Sequence, residues 1–107
     1  MISIPAFKEI ALAFENTEAN PHFDRTAFKV TGKRIFATLH EAGKACNIKL
    51  SAVDQSVFCL AAKDAVYPVN GKWGLQGWTT FDLKQVPVDL LKDALLTAYN
   101  DVLSRKK

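Results

Sequence analysis

The stretch His22–Leu39, HFDRTAFKVTGKRIFATL, constrains the fold more than any other part of the chain. Phe28 and Val30 alternate with Lys29, and Ile35, Ala37 and Leu39 alternate with Arg34, Phe36 and Thr38. Such alternation marks a strand with one buried face, because successive side chains point to opposite sides of the pleat. Between the two runs, Thr31-Gly32-Lys33 places a glycine where a tight reversal needs positive φ. The stretch reads as a β-hairpin with a core face of Phe28, Val30, Ile35, Ala37 and Leu39 and an outer face of Lys29, Arg34, Phe36 and Thr38. IFATL is apolar at four of five places, so burial of Phe36 on a second covered face is the alternative. The first assignment is preferred because it buries three residues rather than one.

The flanks supply the other elements. Ser3 can cap a helix over Ile4–Glu15, with Pro5 tolerated in its first turn. Phe7, Ile10, Ala11 and Phe14 then form one stripe at helical spacing, best explained as core. Asn16–Pro21 (NTEANP) reads as a turn, and His22–Asp24 as the beginning of an edge strand. After a polar loop, Cys46, Ile48 and Leu50 alternate with Asn47 and Lys49, a strand that adds Lys49 to the outer face. Ser51, with Asp54 three residues on, caps a second helix. Its expected buried stripe is Val53, Val57, Leu60 and Ala61, flanked by Phe58 and Cys59.

Beyond that helix the period returns to two. Val66–Val69 contains Pro68, which cannot donate to a ladder and marks an edge or a bulge. Asn70-Gly71 is a turn, and Lys72–Gly77 reads as a mobile loop carrying Trp73. Trp78–Leu83 is a strand with Thr79, Phe81 and Leu83 inward and Trp78, Thr80 and Asp82 outward. Trp73 and Trp78 are each either a stacking platform for a base or a cover for a core edge. A last helix starts at Pro87, with Val88, Leu91, Leu95, Ala98, Tyr99 and Val102 as its stripe, widened by Leu90, Ala94 and Leu103. The tail Arg105-Lys106-Lys107 complements a helix C-terminus. The whole is one α+β domain, residues 1–107, with helices on one face of a mostly antiparallel sheet.

Charge narrows the class of partner. Between Arg25 and Lys49 six bases face Glu41 alone, a local +5, whereas the rest of the chain carries eight bases and ten acids, −2. A concentrated positive field favours an anionic partner; a solvated face is the plain alternative. No run approaches the roughly 18 apolar residues of a membrane helix, and MISIPAFKEI lacks the pattern of a signal peptide. Cys46 and Cys59 then read as reduced thiols of a cytoplasmic protein.

Catalytic patterns are missing from the sequence. His22 and His40 have no acids or thiols at metal-ligand spacing, and there is no HExxH, CxxC, G-x-S-x-G or P-loop. GKWGLQG has a phosphate-loop look without the strand-to-helix context that such a loop needs. Cys59 has no base beside it in sequence and reads as packing. The expectation is a protein that is not an enzyme and uses no metal or cofactor.

At AFKVTGKRIFATL (Ala27–Leu39) the sequence resembles the MmcQ/YjbR family, which shares an F-x-V-x-G-K-x-F-A hairpin. His22-Phe23 upstream, Ile48-Lys49-Leu50 before a helix, Gly77-Trp78 opening a strand, and Val86-Pro87 before a final helix with Leu95 and Tyr99 follow in family order. The resemblance spans almost the whole chain. It implies a small bacterial cytoplasmic protein with a frataxin/CyaY-like α+β fold, also compared with a "double wing" sheet, and a DNA-binding role.

Two functions compete on these residues. In the first, Arg25, Lys29, Lys33, Arg34, Lys49 and Lys72 meet nucleic-acid phosphates, DNA or alternatively RNA, while Phe36 or Trp73 stacks or wedges. In the second, the same sheet face docks an acidic protein or small ligand, with Phe36, Trp73 and Trp78 as anchors. Both readings expect a monomer away from membranes, and the first is preferred.

Overall fold

A computed structural model describes residues 1–104; the basic tail, Arg105–Lys107, lies outside the described residues. Ser3 caps α1 (Ile4–Leu12), its Oγ accepting the Ala6 N–H at 3.1 Å. The helix is shorter than its apolar stripe, yet Phe7 and Ala11 are fully buried and Ile10 and Phe14 pack against the same core. Six strands follow: β1 (Thr17–His22), β2 (Arg25–Val30), β3 (Ile35–His40), β4 (Ala45–Lys49), β5 (Val66–Pro68) and β6 (Trp78–Asp82). They form one antiparallel sheet in the order β1-β2-β3-β4-β6-β5. Three more helices complete the chain: α2 (Ala52–Ala61), α3 (Lys72–Leu75) and α4 (Val88–Ser104). The α+β reading holds.

The core lies between α1, α2 and α4 and one face of the sheet. Phe7 meets Phe28 edge-on at 5.5 Å, Phe58 of α2 meets Phe81 at 6.2 Å, and Tyr99 of α4 meets Phe36 at 6.1 Å. Along the sheet, Leu39, Cys46 and Phe81 stand side by side in register and are wholly buried, as are Ala37 and Ile48 in the next row. Of the expected α4 stripe, Leu91, Leu95, Ala98, Tyr99 and Val102 are buried, while Val88 and Leu103 at its two ends are exposed.

Four local expectations change. NTEANP is mostly strand: of these residues only Asn16 belongs to the turn, at φ 61, a conformation asparagine tolerates. Thr17–His22 then pairs with β2 along its whole length as the edge strand. An edge position accommodates Pro21 and leaves no apolar alternation to read. His22–Asp24 is consequently the end of β1 and a reversal, with Phe23-Asp24 as a two-residue loop between the paired His22 and Arg25.

Phe36 is not on the outer face. The β2–β3 register runs Phe28 opposite Ala37 and then Lys29 opposite Ile35, so Phe36 is the extra residue of a β-bulge. The bulge reverses the inside–outside parity at that point. Phe36 becomes 0% exposed between Phe14 and Tyr99, and Ile35 turns outward beside Lys29.

Helix α2 is rotated from its apolar count. Val53, Val57 and Leu60 are 73%, 57% and 68% exposed, and Ala61 is exposed too, while Phe58 is buried. Gln55, three residues before Phe58, lies on the inner side. Its Nε2 donates to Gly74 O at 3.0 Å, Trp78 O at 3.3 Å and Thr79 Oγ1 at 3.1 Å, satisfying polar groups at that end of the core. The cap of the same helix is as expected, with Asp54 N–H donating to Ser51 Oγ at 3.1 Å. Ser51→Ala is expected to lower stability by about 1 kcal/mol in a urea titration, through loss of this bond and of the Ser51 Oγ–Asp54 Oδ2 contact at 3.0 Å.

The segment Lys72–Gly77 is a fixed turn rather than a mobile loop. It forms the single helical turn α3, anchored by Gln55 through the Gly74 carbonyl. A Cβ on Gly74 would sit 1.9 Å from Val69 O, and one on Gly77 1.8 Å from Leu50 O. Backbone thus packs directly on backbone at both positions.

Candidate nucleic-acid interface

The three long helices cover one side of the sheet, so the other side is open and its side chains follow from strand parity. Lys49 lies opposite Trp78, and Asn47 lies opposite both Thr38 and Thr80. Lys29 is on this face by alternation with Phe28 and Val30, and Ile35 joins it through the bulge. At one end the turn between β2 and β3 brings up Lys33 and Arg34; Arg34 precedes β3 and is exposed rather than a strand residue. At the other side α3 holds Trp73 over the face, 61% exposed.

These groups enclose two adjoining concavities. The first, about 500 Å³, is lined by Lys29, Lys33, Arg34 and Lys49 together with Trp73 and Trp78, and by Asp101 of α4. The second, about 270 Å³, is lined by His22, Arg25, Thr38, Asn47 and Val69 and by the same two tryptophans. The two indoles are therefore shared walls. Of the residues expected to act together, Lys29, Lys33, Arg34, Lys49 and Trp73 do converge. Arg25 falls in the second concavity, Phe36 in the core, and Lys72, at the start of α3, lines neither.

Electrostatics on the face are less one-sided than the count over Arg25–Lys49 implied. Glu18, on the unexpected strand β1, sits opposite Lys29 with its Oε2 3.6 Å from Lys29 Nζ. Hydrogen bonds from Asn20 and then Thr31, helped by Lys29, hold the Glu18 carboxyl below its ordinary pKa. It stays ionised and offsets part of the Lys29 charge. His40, at the Asp24 end of the sheet, has its Nε2 3.4 Å from Asp24 Oδ2.

The second concavity holds hydrogen-bonding groups. Thr80 Oγ1 donates to Asn47 Oδ1 at 2.7 Å, which occupies the amide oxygen and leaves the amide NH₂ as the end available for a ligand. Arg25 Nη1 is buried and has no hydrogen-bond partner. Beside it, Phe23 is 96% exposed at the tip of the β1–β2 reversal, at φ 59, with its ring edge-on to His22 at 5.0 Å. A bulky residue in that conformation is uncommon and stores strain. The sequence pattern placed Asn47 outward beside Lys49 but did not single out Phe23 or Glu18 for this face. The available signal was HFDR itself, two residues short enough to close a hairpin between His22 and Arg25.

Neither cysteine lies on this face. Cys46 is on the core side, where burial pushes its thiol pKa well up, and Cys59, on α2, is also raised by desolvation. Among the described residues no group of three or more His, Cys, Asp or Glu could hold a metal ion, and no helix is long and apolar enough to cross a membrane.

The sequence model of the YjbR family matches residues 12–101. No curated protein matches the sequence. The crystal structure of the Deinococcus radiodurans protein DR2400, with domain DUF419, is similar in fold at TM-score 0.85. It aligns over 98% of this chain and 81% of that one, with 18% identity.

Proposed function

The chain belongs to the YjbR family, and from that premise we propose that it binds nucleic acid, DNA first, through the open face of its sheet. The observation that carries the reading is the convergence of Lys29, Lys33, Arg34 and Lys49 on one concavity walled by two indoles. Cations gathered on one concavity suit a phosphate backbone, whose contacts position the strand without reading its sequence. The turn carrying Lys33 and Arg34 projects as a wing beside the face. The protein in this reading is a monomeric cytoplasmic binder that performs no catalytic step.

The test is a fluorescence-anisotropy titration with DNA at several salt concentrations. Four phosphate contacts predict a log–log salt slope between about −2.8 and −3.6, at roughly −0.7 to −0.9 per contact. Lys33→Glu combined with Arg34→Glu is expected to weaken binding at least about tenfold and to reduce the slope by about 2. Both residues lie on the turn outside the core, so the fold is expected to persist. Absence of binding at low salt, or unchanged affinity in the double variant, overturns the reading. The competing reading, an acidic protein anchored by the exposed Trp73, predicts instead a stoichiometric pulled-down partner that survives nuclease treatment.

A further inference from the structure

We infer that the concavity beside Arg25 seats one unstacked base of a single-stranded nucleic acid, with the flanking phosphates held by Lys33, Arg34 and Lys49. The inference rests on the nucleic-acid reading above and adds a strand type and a base site to it.

Size sets the first limit. At about 270 Å³ the concavity falls just below the roughly 300–1,000 Å³ of pockets for drug-sized ligands. It suits one planar ring system rather than a whole dinucleotide. Arrangement sets the second. Trp73 and Trp78 border both this concavity and the cationic one, so aromatic surface lies between a hydrogen-bonding compartment and a phosphate-binding compartment. A nucleotide has that same division, with a flat base on one side of the sugar and an anion on the other.

The polar groups match an edge-on base. Arg25 Nη1 is buried without a partner, and a buried donor left unsatisfied is costly. A base carbonyl or ring nitrogen in the concavity that Arg25 lines would satisfy it once the guanidinium turns toward the ligand. The Asn47 amide, fixed by Thr80, and the Thr38 hydroxyl add further donors and acceptors.

Rigidity argues that Trp73 is displayed rather than left over. Its turn is fixed by the Gln55–Gly74 bond and by two backbone contacts that exclude any Cβ, yet the indole itself is mostly exposed. An aromatic platform held on a stiff support loses little entropy when a base stacks on it. A duplex cannot use such a site without extruding a base at a cost of a few kcal/mol, and so single strands are favoured.

The experiment compares four probes of about 12 nucleotides or equivalent charge by anisotropy or competition at low salt: a single strand, a duplex, an abasic strand with the same phosphates, and poly-glutamate. The single strand is expected to bind at least about tenfold more tightly than the abasic strand and the duplex. Trp73→Ala is expected to remove that advantage, weakening the base-bearing strand at least about tenfold more than the abasic strand. Arg25→Met, which keeps the apolar stem, is expected to reduce it in the same direction. Equal binding of base-bearing and abasic strands, or insensitivity to Trp73→Ala, overturns the base site and leaves the phosphate reading standing. Failure of every nucleic-acid probe to bind, or poly-glutamate binding as tightly as the single strand, overturns both.

Discussion

Phe36→Ala is expected to destabilise the protein by about 4 kcal/mol, in the range for truncating a fully buried phenylalanine. The ring is the point where three elements meet. It lies edge-on to Phe14, just beyond α1, at 6.4 Å and 79°, and edge-on to Tyr99 of α4 at 6.1 Å and 74°. Phe14 and Tyr99 in turn stack at 4.7 Å, and the Tyr99 hydroxyl donates to Glu15 O at 2.7 Å. Removing the ring therefore leaves a cavity and also removes edge-to-face pairs worth about 0.5–1.5 kcal/mol each beyond burial. Phe36→Leu, which refills most of the volume, is expected to cost about 1–2 kcal/mol. Urea unfolding followed by tryptophan fluorescence measures both, the midpoint shifting while the slope with denaturant stays constant. The folded fraction of either variant is expected to bind nucleic acid as the parent does. Lost binding at unchanged stability would instead put Phe36 on the outer face.

That contrast locates the limit of what this sequence discloses. Strands β4 and β6 and helix α4 were legible because each has one apolar face of the right period: Cys46, Ile48 and Leu50; Thr79, Phe81 and Leu83; and Leu91 through Val102. In β3, IFATL is apolar at nearly every place, so either parity satisfies the pattern, and only the pairing with β2 reveals the extra residue. Strand β1 could not be read because an exposed edge needs no alternation, and Glu18 arrived on the cationic face with it. For α2, the apolar count pointed at Val53, Val57 and Leu60, but Phe58 is the residue buried, and Gln55 faces inward to bond Gly74 O and Trp78 O while those three are exposed. The candidate site shows the same division. Its cations were legible singly as exposed charges between core positions. The shared tryptophan walls, and the separation of Arg25 from Lys29, depend on how α3 folds back over the sheet.

The same dependence makes Gly77→Ala the most informative backbone change. Gly77 sits at φ 106, which L side chains rarely adopt, and an added Cβ would fall 1.8 Å from Leu50 O. The neighbouring groups cannot retreat cheaply, because Leu50 N–H donates to Gly77 O at 2.9 Å and Thr79 Oγ1 donates to the same oxygen at 3.0 Å. Strain and displaced packing together are expected to cost about 3–4 kcal/mol. Gly32→Ala supplies the comparison: its φ of 79 is also unfavourable, but nothing lies within 4 Å of the new Cβ. Only the conformational cost applies there, about 1–2 kcal/mol. The difference between the two variants under urea denaturation isolates the contact between the Gly77 turn and the end of β4. Because Lys49 pairs with Trp78 immediately beside that contact, the folded fraction of Gly77→Ala is also expected to lose its preference for base-bearing over abasic strands. Gly32→Ala, at the tip of the basic wing, is expected to keep it. Equal stability of the two variants would mean that the turn carrying Trp73 yields to a methyl group, and a platform that yields so easily could not hold an indole in place for stacking.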